Sequence, residues 1–131
     1  MFTHGIAVKP GKPTILAFDK TRQTIMAGLS GHPLAAVLMF RLIIGNWLYE
    51  RLNLSGKQRR TAVLCENIPS NHGRESCQLI KLIDTDDGLT ALPLYTKSGN
   101  ISYLSRADGY VMIPRNREGL NKGEKVTVEV F

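Results

Sequence analysis

The chain has 131 residues and a formal net charge of +6, enough for one domain or two small ones. Its longest nearly apolar run, residues 34–44, carries Arg41 and is too short to cross a bilayer, so it reads as a buried helix and no membrane association is expected. Two cysteines, Cys65 and Cys77, without a CxxC pattern exclude a disulfide framework; they read as buried or half-buried thiols of a cytoplasmic protein, without metal spacing to any histidine.

In chain order, the first five residues lack the charged and apolar pattern of a secretory signal. Residues 5–8 read as a short strand. Residues 14–18 read as a second, rich in apolar and β-branched side chains, and 24–27 as a third, with a polar turn at 19–22 between them. A helix is expected from Pro33 to about Leu52. It is apolar nearly all round at first and amphipathic later, so it needs burial on several sides, which some fifty residues hardly provide. Residues 55–60 form a polar linker with Gly56 just past the helix. After it the hydrophobic period changes to two. Residues 61–65, 77–83, 89–94, 110–113 and 126–131 read as strands, separated by turn signals at 69–73, 84–88 and 116–119. Five short strands in so short a stretch predict a small barrel. The two segments are expected to have separate cores.

Two loop stretches carry candidate chemistry. Gly28-Leu29-Ser30-Gly31-His32-Pro33 leads directly into the apolar helix. Pro33 suits the first helical position, Gly31 leaves room for a ligand, and the first N–H groups of the helix are free to meet an anion. The same turn also serves as a plain strand-to-helix connection. Upstream, the prolines of Lys9-Pro10-Gly11-Lys12-Pro13-Thr14 hold the backbone extended and present Lys9 and Lys12 on a stiff segment, either to a phosphate or simply to solvent. Six basic and two acidic residues precede Ser55, against eleven and nine after Leu54, so the excess charge sits on the half with these loops. A phosphorylated small molecule accounts for that asymmetry. Nucleic-acid binding by a basic barrel is the weaker reading, because basic residues are scattered and the barrel has few aromatic platforms.

Taken together, these stretches resemble the C-terminal part of the MoeA family, molybdopterin molybdotransferases related to the E domain of gephyrin. The resemblance rests on Lys9 to Pro13 (KPGKP) and on Gly28 to Pro33, against a GLPGNP-type loop. It continues through Gly73-Arg74-Glu75, Ser98-Gly99 with Leu104 to Tyr110, and the closing Glu118 to Val128 strand. It implies an α+β fold: residues 1–54 as the βββα end-piece of a MogA-like α/β domain, 55–60 as linker, and 61–131 as the C-terminal β-barrel domain. It implies insertion of molybdate into adenylated molybdopterin with release of AMP, with magnesium as the divalent metal and a homodimer as the full-length protein. Lys9 matches a family active-site lysine, Pro33 a loop proline and Ser98 a barrel serine. Lys12, Gly28, Ser30, Gly31, His32 and Arg74 complete the expected substrate-binding set.

The sequence also departs from the family pattern. Gly5 stands where many members carry a second active-site lysine, Ser30 replaces a loop proline, and His32 the usual Asn or Tyr. Leu79 occupies a position where relatives often have arginine, and Lys97 one where many have glycine. The family's Gly-rich phosphate loop and metal-binding aspartates belong to an earlier region that this sequence does not contain. Asp84, Asp86 and Asp87 fall in a turn and read as solvated. No metal ligands are therefore expected in this chain, which is expected to be inactive alone. The alternative reading is a non-catalytic binding or scaffold module.

Overall fold

The computed structural model describes residues 3–54, 58–70, 73–95 and 102–131. The chain divides into two compact units, Met1–Ser55 and Gly56–Phe131.

The first unit opens with two short strands, β1 (Thr3–His4) and β2 (Val8–Lys9). These replace the single strand expected over 5–8. Gly5 has φ +89°, which breaks the extended run, and its N–H turns to the carbonyl of Thr14 at 2.9 Å. β3 (Ile15–Asp19) and β4 (Thr24–Gly28) follow as an antiparallel hairpin, giving a sheet in the order β1-β3-β4. Asp19 makes its turn: Oδ1 accepts the N–H groups of Thr21 (2.9 Å) and Arg22 (3.2 Å). The helical stretch then runs as expected from Pro33, but not uniformly. α1 (Pro33–Met39) passes into a π-helical segment (Phe40–Gly45) and on into α2 (Asn46–Arg51). At the end of the π segment Asn46 Nδ2 donates to the Leu42 carbonyl at 2.7 Å, while its Oδ1 is buried without a partner among the described residues. Leu34, Ala35, Leu38 and Met39 are buried, whereas Phe40, Trp47, Tyr49 and Leu52 remain exposed.

The second unit is built on β5 (Arg59–Leu64), β6 (Ile68–Pro69), β7 (Glu75–Thr85), β8 (Gly88–Pro93), α3 (Ser102–Arg106), β9 (Gly109–Ile113), β10 (Gly119–Leu120) and β11 (Lys125–Val130). β7, β8, β5, β11 and β9 pair in that order, and β9 pairs back to β7, closing a five-stranded barrel. The strands alternate as a period of two requires: Ala62 and Leu64 are buried while Thr61 and Val63 are exposed, and Val126 and Val128 are buried while Lys125 and Thr127 are exposed. The inward side chains join Ile68, Ile80, Ala91, Val111, Ile113 and Leu120 in one apolar core. Each large one contributes about 1.5–3 kcal/mol.

β7 closes the barrel because it is long enough to pair with both β9 and β8. Ser76 to Ile80 face β9, and Ile80 to Thr85 face β8. Where the β9 ladder stops, Asp108 takes over. Its Oδ2 accepts the Leu82 N–H at 2.7 Å and its Oδ1 the Lys81 ammonium at 2.9 Å. Burial acts to raise the Asp108 pKa, but these two hydrogen bonds and the Lys81 charge outweigh it and hold the carboxyl below its usual value.

Several local expectations need correction. Arg59 and Arg60 are not linker but the first residues of β5, held by pairing to Glu129 and Val128. Pro69 is not only a turn residue: with Ile68 it pairs antiparallel to β10. Helix α3 lies where no element was expected. The two cysteines are half-buried. Burial, and then the Glu129 charge, push the Cys77 thiol up to about 12, so it is inert at neutral pH.

Candidate anion site

The sheet of the first unit brings the two glycine- and lysine-bearing loops to one end. Gly28, the last residue of β4, pairs with Ile15, the first residue of β3. The 9–14 segment therefore enters the sheet beside the point where the 28–33 loop leaves it. The lysine segment is closed on itself. The Gly11 carbonyl accepts both the Thr14 N–H (3.0 Å) and the Thr14 hydroxyl (2.7 Å), and the Lys12 carbonyl accepts the Ile6 N–H (3.0 Å). Gly11 has φ +129°, and a Cβ there would run into the side chain of Met39 at the end of α1. One loop is thus seated on the helix that the other begins. The peptide bond between Lys9 and Pro10 is cis.

The expected residues sit as follows. Lys9, at the end of β2, and Lys12, in the turn, are exposed, and no acidic partner neutralises either among the described residues. Gly28 is exposed, and Gly31 has open space where a side chain would project. Ser30 Oγ accepts the N–H of His32 at 3.2 Å, shaping the loop. That bond engages the His32 N–H within the loop itself. His32 is the N-cap with extended backbone (φ −83°, ψ 111°) and makes no side-chain cap, and Pro33 opens the helix. The Ala36 N–H already meets the His32 carbonyl at 3.0 Å. Leu34 and Ala35 are left as the first-turn donors without a backbone acceptor among the described residues. This arrangement is cationic, accessible and locally rigid, and it can receive an oxyanion. Arg74 belongs to the second unit, where it is exposed at the entry to β7. Ser98 lies outside the described residues. Sequence reasoning named Gly11 and Thr14 only as parts of a motif and left Met39 in an apolar run. Their joint role depends on a contact between positions far apart in the chain.

Magnesium finds no binding set here. Among the described residues no group of three His, Cys, Asp or Glu side chains could hold a metal ion, and Asp84, Asp86 and Asp87 are all exposed around the β7–β8 turn. Among the described residues no helix is long and apolar enough to cross a membrane.

A closed five-stranded barrel preceded by a basic loop-and-helix unit defines a class of domain shared with known proteins. Residues 61–131 match the family model of the MoeA C-terminal region, domain IV. The chain belongs to the MoeA family and corresponds to its C-terminal part. It is 34% identical over 129 residues to a molybdopterin biosynthesis protein from Methanocaldococcus jannaschii, covering 98% of this chain and 29% of the relative. It is 25% identical over 126 residues to a molybdopterin molybdenumtransferase from Synechocystis, covering 94% of this chain and 30% of the relative. A crystal structure of a MoeA protein from Pyrococcus horikoshii superposes with a TM-score of 0.82 at 26% identity, over 99% of this chain and 32% of that one. A molybdenum cofactor biosynthesis protein from Pyrococcus furiosus gives 0.80 at 27% identity, over 99% and 45%. The chain thus spans about 30% of the length of the curated relatives it matches.

Proposed function

We propose that this chain is the C-terminal part of a molybdopterin molybdotransferase, an enzyme that inserts molybdate into adenylated molybdopterin and releases AMP in the cytoplasm. In this reading residues 1–54 complete a MogA-like α/β domain, the linker ends before Arg59, where the barrel strand β5 begins, and the full-length protein is a homodimer. The part taken by this chain's own residues is electrostatic. Lys9 and Lys12 hold the anionic pterin nucleotide, and the open backbone around Gly28, Ser30, Gly31, His32 and Pro33 lets it approach. Arg74 and Ser98 keep the substrate-binding roles that the family resemblance implies for the second unit. Magnesium would supply charge neutralisation during transfer, but the residues described here do not fit it. The chemistry assigned to this chain's own residues is the binding and orientation of an anion.

The observation that carries this reading is the pairing of Gly28 with Ile15, which sets a two-lysine segment and a glycine-rich helix entry at one end of one sheet. The chain alone supplies binding without the rest of the reacting geometry, and catalysis needs all partners held together. Incubated with adenylated molybdopterin, molybdate and magnesium, the purified chain should release no AMP above background yet bind the nucleotide. Lys9→Ala should weaken that binding by about 1.5–3 kcal/mol, the scale of a charge-assisted hydrogen bond. Sustained AMP release, or binding indifferent to Lys9, would overturn the assignment.

A further inference from the structure

Thr14 is the one polar residue among the described residues that is wholly buried, at 0% exposure. Its hydroxyl and its N–H both end on the carbonyl of Gly11, at 2.7 and 3.0 Å, and its own carbonyl takes the Gly5 N–H at 2.9 Å. A threonine used only for β propensity would not need this arrangement. The Gly11 carbonyl is the hinge point of the lysine turn: on one side lies Lys9, on the other Lys12. Gly11 in turn has no room to move toward α1, because Met39, also at 0% exposure, fills the space where a side chain would be. The turn is thus clamped from two directions by groups that never meet solvent.

We propose that Thr14 and Gly11 are the positioning residues of this anion site: the buried hydroxyl and the glycine–methionine contact fix the spacing of the Lys9 and Lys12 ammonium groups. The inference rests on the anion-binding reading of that segment. Pre-ordering two long cationic side chains on a stiff backbone removes part of the entropy cost of engaging one anion. Without the clamp the lysines remain, equally charged and equally exposed, but their spacing is no longer set. Affinity falls although no ligand contact has been deleted.

The test uses the whole chain and inorganic pyrophosphate as probe, titrated calorimetrically at low ionic strength. Lysine-dependent binding is the difference between the unmodified chain and the Lys9→Ala/Lys12→Ala variant. Thr14→Val keeps the shape and removes the hydroxyl. It should lower the lysine-dependent association constant about five- to tenfold, in keeping with one lost buried hydrogen bond. Thr14→Ser, which restores the hydroxyl, should return it to within about twofold. Amide hydrogen exchange supplies a readout independent of any ligand. In Thr14→Val the N–H groups of Gly5, Ile6 and Thr14 should lose protection while those of β4 and α1 keep it.

Unchanged affinity in Thr14→Val, or loss that Thr14→Ser fails to repair, would overturn the proposal. So would unchanged protection of the three amides. Should the valine variant fail to fold, Gly11→Ala decides by the same two readouts, with loosened protection and weaker binding expected and no change fatal. Absence of lysine-dependent binding in the unmodified chain would overturn the anion-site reading itself. The exchange arm still separates the two failures, because it reports whether Thr14 orders the lysine turn whatever that turn binds.

Discussion

At Gly109 an added methyl would meet the carbonyl oxygen of Glu129 and the Cγ1 of Val128, because β9 and β11 cross there with Gly109 opposite Val130. The obstacle is backbone, which cannot swing aside as a flexible side chain can. Gly109→Ala should therefore destabilise the barrel by about 1–3 kcal/mol, the usual scale of overpacking, as read from the urea midpoint. Ile80 presents the opposite case. It is fully buried in the core, and Ile80→Ala should cost about 2–5 kcal/mol through lost burial and the void left behind. Asp108 adds a dependence on pH. Its folded pKa is lowered, so the unfolded chain binds the proton more readily. Its contribution is complete above the ordinary carboxylate value near pH ~4 and is lost as pH falls through the lowered folded value. Glu124 acts in the same sense, since Arg117 first and then the Asn121 N–H hold its carboxylate charged. Denaturant midpoints should fall below about pH 4, and Asp108→Asn should make that fall shallower.

At the scale of elements, the π segment is informative. The Asn46 amide donates to Leu42 but its buried oxygen has no partner among the described residues, and an orphaned buried acceptor costs about 1–3 kcal/mol. Asn46→Leu, similar in shape and without that oxygen, should be neutral or stabilising in thermal melts. A drop of several degrees would mean that the amide has a further partner. No sequence signal marks this segment, because the apolar run from Leu34 to Ile44 has the same composition whichever hydrogen-bond register the backbone takes. The barrel strands, by contrast, were legible, since alternation of Ala62 and Leu64 with Thr61 and Val63 states both the period and the buried face. The pairing of Ile68–Pro69 with Gly119–Leu120 was not, because two residues are too few to show a period. It depends on Gly119, at φ +150°, whose missing side chain would strike the Ile68 carbonyl. In the site, Lys9, Lys12 and the Gly28 to Pro33 loop announce themselves by glycine and proline. The burial of Thr14 does not, because its hydroxyl and N–H close on Gly11 within a turn whose packing on Met39 joins distant parts of the chain.

At the scale of the whole chain, the barrel owns its core: every residue of the apolar cluster falls between Ala62 and Val128. A piece comprising residues 58–131 should fold by itself and unfold in one cooperative transition, followed by far-UV circular dichroism. A broad, non-cooperative loss would show that the barrel borrows stability from elsewhere. The first unit differs. Ile25, Met26, Phe40, Trp47, Tyr49, Leu52 and Leu54 all stand exposed in it. Trp47, the single tryptophan, is 43% exposed, so its fluorescence should be quenched readily by acrylamide. Shielding that grows with protein concentration would reveal self-association.

The closure of the barrel by β7 bears on what happens when the protein is concentrated. The ring of β7, β8, β5, β11 and β9 returns on itself and so lacks the open edge that a flat sheet presents to a neighbouring molecule. β4 ends the other sheet, is five residues long, and shows Ile25 and Met26 half-exposed without a charge between Thr24 and Gly28. Such a strand is a template for intermolecular cross-β growth. Fibril nucleation, where it occurs, should start at β4 and leave the barrel intact, and Ile25→Lys should lengthen the lag of a thioflavin time course without altering the barrel's unfolding transition.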